Sequence, residues 1–555
     1  MEDINIIKPE MKDKEIFEEY KKDFFENNEY EIYGDLGLDT NITYEKWLDR
    51  ISEFEKGKRG IKKTLFALLR KSDNTVLGTF TICHKLDKGL YLYGGHIAGS
   101  IRPNEREKGY AKILLNLALD ESKKMGIEHV LLTCDKKNIP SSKTIKSCGG
   151  KLENVVVSED GEEIERYWFN LGKSKIKPKK LKDSLISVIS PSTNLKEKNV
   201  DDINDSIKKC EEFGLKVKIS KNAYSTSADK EAKIKEKISD LHDMIIDKKV
   251  KAIFFAKGGR FCQNLIDKIN YDEIKENFKI IGGISDGTFL LNAIYEKTGL
   301  ITFHMSDFKR FVKNNEYNEL TFKQMFFSTG KGIIPQREKW KTLKDGVGTG
   351  TLVGGNLTCF TLLSDTDYFP SDKNLILFLE DLEGASTEEQ IKNNIKKLKD
   401  KGILERTNGL LIADYINEKN IAFEDILLPL LKEYDFPIIK CHDFGHAGVN
   451  CVLPIGAMAT ICGFSSELII NDEVLKWENT TYLVILKMAL VNSELDKAIV
   501  NGEQNQFLSY LYSIASEYNT NFDENKNYSN LYSKFMEVSL DKLSISKTKT
   551  FSKLL

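Results

Sequence analysis

Short apolar runs rich in β-branched residues alternate with longer amphipathic stretches through the middle of this chain. Leu185-Ile-Ser-Val-Ile-Ser190, closed by Pro191, reads as a buried first strand. Ala252-Ile-Phe-Phe-Ala256 follows a helical pattern over 231–248, and Lys279-Ile-Ile281 precedes another over 288–297. Leu375-Ile-Leu-Phe-Leu379 and Gly409-Leu-Leu-Ile-Ala413 flank a third helical stretch over 387–401. Strand–helix alternation of this kind predicts an α/β architecture with a largely parallel, doubly wound sheet. Past about Asn479 the pattern becomes all-helical, with apolar residues three to four apart over 485–498 and 505–518.

The segment Lys173-Ser-Lys-Ile-Lys-Pro-Lys-Lys180 breaks the pattern. Basic and holding a helix-disfavouring Pro, it reads as a solvated linker. Domains are therefore expected at 1–172 and 184–477, joined by a linker over 173–183, with a helical extension over 478–555. The length agrees, since 555 residues at roughly 150 per domain give about 3.7. Lys+Arg 82 against Asp+Glu 84 leaves a net charge of -2, which argues against a dedicated nucleic-acid binder. The start, Met1-Glu-Asp-Ile-Asn5, has neither a basic nor an apolar leader, and no apolar run reaches membrane-span length. A cytoplasmic protein without membrane association is the expectation. The nine cysteines are scattered and form no C-x-x-C pair, so neither disulfides nor a metal site is expected.

Two segments carry candidate chemistry. Arg106-Glu107-Lys108-Gly109-Tyr110-Ala111 stands directly before a helical run over 112–120, itself followed by the strand-like Glu128-His-Val-Leu-Leu-Thr-Cys134. A small-residue loop at a helix N-terminus aims free N–H groups and the positive dipole end at an anion. On spacing alone this signal is weak. The surroundings strengthen it: Gly94-Gly95-His96-Ile97, Ile101-Arg102-Pro103, Asp135, Asn138, Gly149-Gly150 and Arg166-Tyr167-Trp168 follow in order. Over roughly residues 5–171 the chain resembles the GNAT acetyltransferases. The resemblance implies acetyl-CoA, with loop 106–111 on its pyrophosphate, Ile101 beside the pantetheine and Asn138 in the cofactor site. The tyrosine that protonates the leaving thiolate in many members is Ile145 here. His96 is left open between a general base and a structural residue.

The second segment, Gly283-Ile284-Ser285-Asp286-Gly287, is a G-x-S-x-G pentapeptide between a strand and a helix. That context exposes a serine hydroxyl on a sharp turn. A serine nucleophile needs a base, and the base needs an orienting carboxylate. Glu380 ends an apolar strand, and His442 and His446 lie in Cys441-His-Asp-Phe-Gly-His446, so Ser285, Glu380 and His446 form a candidate triad. A metal site around His442 and His446, and plain core roles for Glu380 and His446, are the alternatives.

Over 184–475 the chain resembles the serine peptidase family of LD-carboxypeptidases and microcin C immunity peptidases. The matching pieces include Ile189-Ser190-Pro191-Ser192, Lys257-Gly258-Gly259, Gly283-Ile-Ser-Asp286, Thr298-Gly-Leu-Ile-Thr-Phe-His304, Gly354-Gly-Asn-Leu357, Leu377-Phe-Leu-Glu-Asp381 and Gly445-His446. The resemblance implies Ser285 as nucleophile, Glu380 as orienter, His446 as base, and an oxyanion hole from backbone N–H near Gly259 and Asp286. It also implies a homodimer through the peptidase domain. Asp365-Thr-Asp-Tyr-Phe-Pro370 looks more like the immunity branch, in which an aromatic stacks on the nucleobase; Trp340 is the candidate for that role, with a Trp buried between the two lobes as the equal alternative. Arg260-Phe261 and Met305-Ser306 depart from the family pattern, which bears on substrate more than on chemistry. The tail resembles, faintly, the helical anticodon-binding domain of arginyl-type tRNA synthetases.

The reading as a whole is a bifunctional self-immunity enzyme. It would hydrolyse the amide of microcin C-like aminoacyl- or peptidyl-nucleotides and carry an acetyl-CoA-dependent N-acetyltransferase. A murein LD-carboxypeptidase fused to an acetyltransferase, and an RNA-binding or scaffold role through the tail, are the rivals.

Overall fold

The computed structural model describes residues 4–476 apart from 182, 312–314, 383, 385, 416–420 and 447–448; the expected helical extension over 478–555 lies outside the described residues. The N-terminal part runs β1 (Ile4–Ile7), α1 (Lys14–Glu26), α2 (Tyr44–Glu55), β2 (Lys63–Arg70), β3 (Thr75–Cys83) and β4 (Ile97–Ile101). It continues with α3 (Tyr110–Lys124), β5 (His129–Asp135), α4 (Ile139–Ser147), β6 (Lys151–Val157) and β7 (Glu163–Asn170). Strands β1-β2-β3-β4 form one antiparallel sheet and β5-β7-β6 another. Alternation along β2 explains the packing: Leu65, Ala67 and Leu69 face Phe17, Tyr20 and Trp47, while Phe66 and Leu68 join Leu114, Leu115 and Tyr167 on the other face.

The second part begins with β8 (Leu185–Ile189), α5 (Val200–Glu212), β9 (Lys216–Ile219), α6 (Lys230–Ile246), β10 (Val250–Phe255) and α7 (Tyr271–Glu276). Next come β11 (Ile280–Gly283), α8 (Gly287–Thr298), β12 (Thr302–His304), α9 (Asn315–Phe326), β13 (Gly332–Ile333) and β14 (Lys341–Lys344). The C-terminal lobe holds β15 (Val347–Asn356), α10 (Leu357–Leu363), β16 (Leu375–Glu380), α11 (Glu388–Asp400) and β17 (Thr407–Ala413). It closes with α12 (Phe423–Leu430), β18 (Ile438–Cys441), β19 (Leu453–Ile455), β20 (Met458–Cys462) and β21 (Glu467–Ile470). Two sheets result, in keeping with a two-lobed α/β peptidase. The first, ordered β19-β12-β11-β10-β8-β9, is parallel except for β19. The second, β13-β21-β20-β15-β16-β17-β18-β14, has a parallel centre β15–β18 with antiparallel strands on both sides. Continuous apolar runs such as Leu375–Glu380, buried at every position, belong to strands covered on both faces.

The 173–183 segment is not the solvated connector expected from its charges. Ile176 bridges to Leu300, Leu181 is fully buried, and Lys173 pairs with Glu296 on α8. Gly299, at φ +74°, permits this approach, because a Cβ there would stand 2.6 Å from the Ser174 carbonyl oxygen.

The two parts share a buried interface. Leu86, Tyr91, Leu131 and Trp168 pack against Met458 and Cys462 of β20. Around that cluster the Glu128 N–H donates to Asn374 Oδ1 at 2.8 Å, the Lys373 N–H donates to Glu128 Oε2 at 2.9 Å, and Asn471 Nδ2 donates to Glu153 Oε1 at 3.0 Å. Trp168→Ala should lower unfolding stability by about 3 kcal/mol, the scale of a large-to-small core change. The check is a lower urea midpoint at unchanged slope. An unmoved midpoint would mean that this surface is not a common core.

Candidate active site

The serine sits where the sequence puts it. The chain leaves β11, turns through Ile284 and Ser285, and enters α8, which starts at Gly287. Ser285 has φ +63°, a left-handed conformation that costs a non-glycine residue free energy and aims the side chain outward. Room for it comes from Gly258, where a Cβ would stand 2.6 Å from Ser285 Cβ and 2.9 Å from its Oγ. Among the described residues, no acceptor takes up the N–H of Gly259 or of Asp286. Asp286 directly follows the serine and Gly259 follows Gly258, which abuts it.

Glu380 ends β16, pairs in register with Asn356 at the end of β15, and is fully buried. His446 Nδ1 lies 2.6 Å from Glu380 Oε2. Burial alone would lower the His446 pKa, but the charge and hydrogen bond of Glu380 override it and hold the imidazole above its ordinary 6.5. Burial likewise pushes Glu380 upward, and the His446 charge and hydrogen bond bring it below the usual carboxylate value. Among the described residues no hydrogen bond joins Ser285 Oγ to His446. Catalytic hydrogen bonds commonly tighten only when substrate arrives.

His442 turns away from this group to Asp414, with Nδ1 and Oδ2 2.6 Å apart, and Asp443 binds Arg337 and Trp340 instead. Among the described residues no three metal-ligating side chains come together. Of the two readings of Trp340 the buried one fits the structure: it is 2% exposed, and its indole N–H donates to Asp443 Oδ2 at 2.7 Å.

One residue that spacing gave no reason to place here is His304, which ends β12 opposite Gly283. Its ring is fully buried, lies edge-on to Phe378 at 5.2 Å, and has no hydrogen-bond partner among the described residues. Burial pushes its pKa down to about 4, so it is neutral beside the Glu380–His446 pair.

In the N-terminal part, β4 and β5 lie in different sheets and are joined by the bridge Gly95–Leu132. Past that bridge no ladder joins β4 to β5, so among the described residues the Ile97–Ile101 edge is unpaired on the β5 side. Loop 106–111 leads into α3 with Glu107 at φ +61° and Gly109 as N-cap at φ +88°. A Cβ on Gly109 would meet nothing within 4 Å, and no side chain caps the helix. Open space at an uncapped N-terminus suits a diphosphate. Arg106 binds Glu29 and the Ile101 carbonyl, and Lys108 binds Glu105, so the backbone rather than these cations faces the opening. Tyr110 is buried near Arg70, Ala111 is exposed, and Asn138 caps α4 by accepting from the Ser141 N–H at 3.1 Å. His96 is resolved as structural: its Nδ1 accepts the Leu131 N–H at 2.9 Å, and burial lowers its pKa to about 3.

Comparison with known proteins bears on both parts. Residues 15–149 match the acetyltransferase (GNAT) family, 186–305 the LD-carboxypeptidase N-terminal domain and 349–461 the LD-carboxypeptidase C-terminal domain. A probable murein peptide carboxypeptidase of Bacillus subtilis is 30% identical over 295 residues, covering 51% of this chain and 91% of that protein. The microcin C7 self-immunity protein MccF of Escherichia coli is 25% identical over 300 residues, 48% of this chain and 86% of that protein. A solved structure of MccF in complex with aspartyl sulfamoyl adenosine has a TM-score of 0.51 at 20% identity, covering 54% of this chain and all of that one.

Proposed function

Because this chain belongs to the LD-carboxypeptidase family and carries a GNAT acetyltransferase domain ahead of it, we propose that it is a two-activity enzyme whose Ser285–Glu380–His446 peptidase releases the C-terminal residue of a short, murein-type peptide. The observations that carry the chemistry are the 2.6 Å Glu380–His446 contact and the strained Ser285 elbow. Ser285 Oγ attacks the scissile carbonyl as His446 Nε2 takes its proton, while Glu380 holds Nδ1–H and the imidazolium that forms. The oxyanion is received by the N–H groups of Gly259 and Asp286. His446 then protonates the departing amine, and a water deprotonated by the same imidazole releases the acyl group.

The N-terminal part fits acetyl-CoA. The N–H groups at Gly109, Tyr110 and Ala111 would hold the diphosphate, and the β4 edge near Ile101 would hold the pantetheine arm. Acetyl-CoA supplies the activated acyl group for transfer to an amine.

The second reading is hydrolysis of an aminoacyl- or peptidyl-nucleotide, with the acetyltransferase able to block the amine of the same molecule. The Asp365–Pro370 segment and the MccF relative favour it, and the buried Trp340 weighs against it. Purified protein offered murein tetrapeptide and aspartyl sulfamoyl adenosine separately decides between them. Release of D-alanine with kcat/KM at least about tenfold above nucleotide-conjugate hydrolysis is the expected outcome. The reverse ratio would transfer the conclusion to the immunity reading.

A further inference from the structure

We infer that the side chain of Asp286 is a positioning residue that sets the oxyanion hole, acting through Ser192 and loop 258–262 and never on the substrate itself. The inference rests on the serine-peptidase reading and deepens it.

Asp286 follows the nucleophile, and its carboxylate is 2% exposed. Oδ2 accepts three donors: Ser192 Oγ at 2.5 Å, the Phe261 N–H at 2.8 Å and the Cys262 N–H at 3.1 Å. Those donors come from two other loops, after β8 and after β10. One carboxylate oxygen thus ties three loops together at the C-terminal ends of adjacent parallel strands.

Gly259 lies between the tied points. A Cβ on it would stand 2.4 Å from Ser192 Oγ and 2.2 Å from Thr193 Oγ1, so the backbone at Gly259 is pressed against the loop that Asp286 holds. On its other side Gly258 abuts Ser285. Positions 261 and 262 donate to Asp286 and Gly258 abuts Ser285, so the intervening Gly259, whose N–H has no acceptor among the described residues, is held between them. A few tenths of an ångström of drift would degrade such a donor, because the hydrogen bond must reach the position of the oxyanion rather than that of the ground-state carbonyl.

A buried cation completes the arrangement. Lys237 on α6 is 5% exposed, donates from Nζ to the Ser190 carbonyl at 2.6 Å and to Asn194, and lies 5.5 Å from the Phe261 ring. It contacts both the loop that carries Ser192 and the Phe261 ring, and its charge opposes that of Asp286.

The full-length chain with murein tetrapeptide and with aspartyl sulfamoyl adenosine tests this. Asp286→Ala should lower kcat about 10²–10³-fold, the scale of a lost oxyanion donor, with KM within about threefold of wild type. Asp286→Asn, which keeps an acceptor oxygen, should recover at least tenfold of that loss, and Ser192→Ala should lose an intermediate amount. A structural defect would instead reduce the active fraction, so titrated active protein and a melting curve accompany each variant. If Asp286→Ala fails to fold, Asp286→Asn and Ser192→Ala decide. Folded variants with kcat within threefold of wild type, or losses confined to KM, would overturn the inference. Ser285→Ala runs alongside: its retained turnover would sink the serine mechanism, whereas a dead Ser285→Ala beside an active Asp286→Ala sinks the positioning role alone.

Discussion

Replacing Ser285 by alanine is expected to lower amide hydrolysis by about 10⁵–10⁶-fold, while acetyl-CoA still raises the melting temperature of the variant. The size follows from covalent catalysis. Without Oγ no acyl-enzyme forms, and only the oxyanion donors and substrate binding remain to act on a water molecule. Members of such a triad work as a unit, so Ser285→Ala/His446→Ala should be little worse than Ser285→Ala alone. A multiplicative loss would show that the two residues act independently. The acetyl-CoA readout separates chemistry from folding, because it reports on the N-terminal part and that part shares a buried core with β20.

Glu380→Gln is expected to cost about 10³–10⁴-fold in kcat and to move the acid limb of the kcat/KM profile to lower pH. Hydrolysis requires neutral His446, so activity rises as pH passes its pKa. In the wild type that limb lies above 6.5, because Glu380 overrides the lowering effect of burial. Glutamine removes the charge and leaves burial in place, and the limb moves down while the plateau falls. The same groups set the pH dependence of stability. His446, raised on folding, contributes stability below 6.5 that is lost as pH climbs through its folded value. Glu380, lowered on folding, contributes stability above the ordinary 4.5 that is lost on acidification. An unshifted limb in Glu380→Gln would detach Glu380 from the base.

How much of this could be read from residues alone depended on how local each feature was. The elbow and the phosphate-type loop are local: a pentapeptide between strand and helix, and six residues before a helix, carry their geometry with them. Glu380 was legible because a carboxylate ending a fully apolar strand needs a partner, and the chain holds only seven histidines to supply one. The two readings of Trp340 could not be separated locally, because its burial involves Asp443, 103 residues away. The linker looked solvated because charge dominates its composition, yet Ile176 and Leu181 anchor it to elements more than 100 residues on. The antiparallel flanks of the second sheet escaped notice because strand direction leaves no mark on an apolar run. The clamp at Asp286 is of the same kind, its three donors lying 24, 25 and 94 residues distant.

The central claim is a shared acyl-enzyme on Ser285, and partitioning measures it directly. Two substrates with the same acyl part and different leaving amines are hydrolysed in the presence of hydroxylamine, and the ratio of hydroxamate to free acid is measured for each. A common acyl-serine predicts the same ratio from both, since the leaving group has gone before the nucleophiles compete. Ratios that change with the leaving group would mean direct attack by water, and would contradict the account.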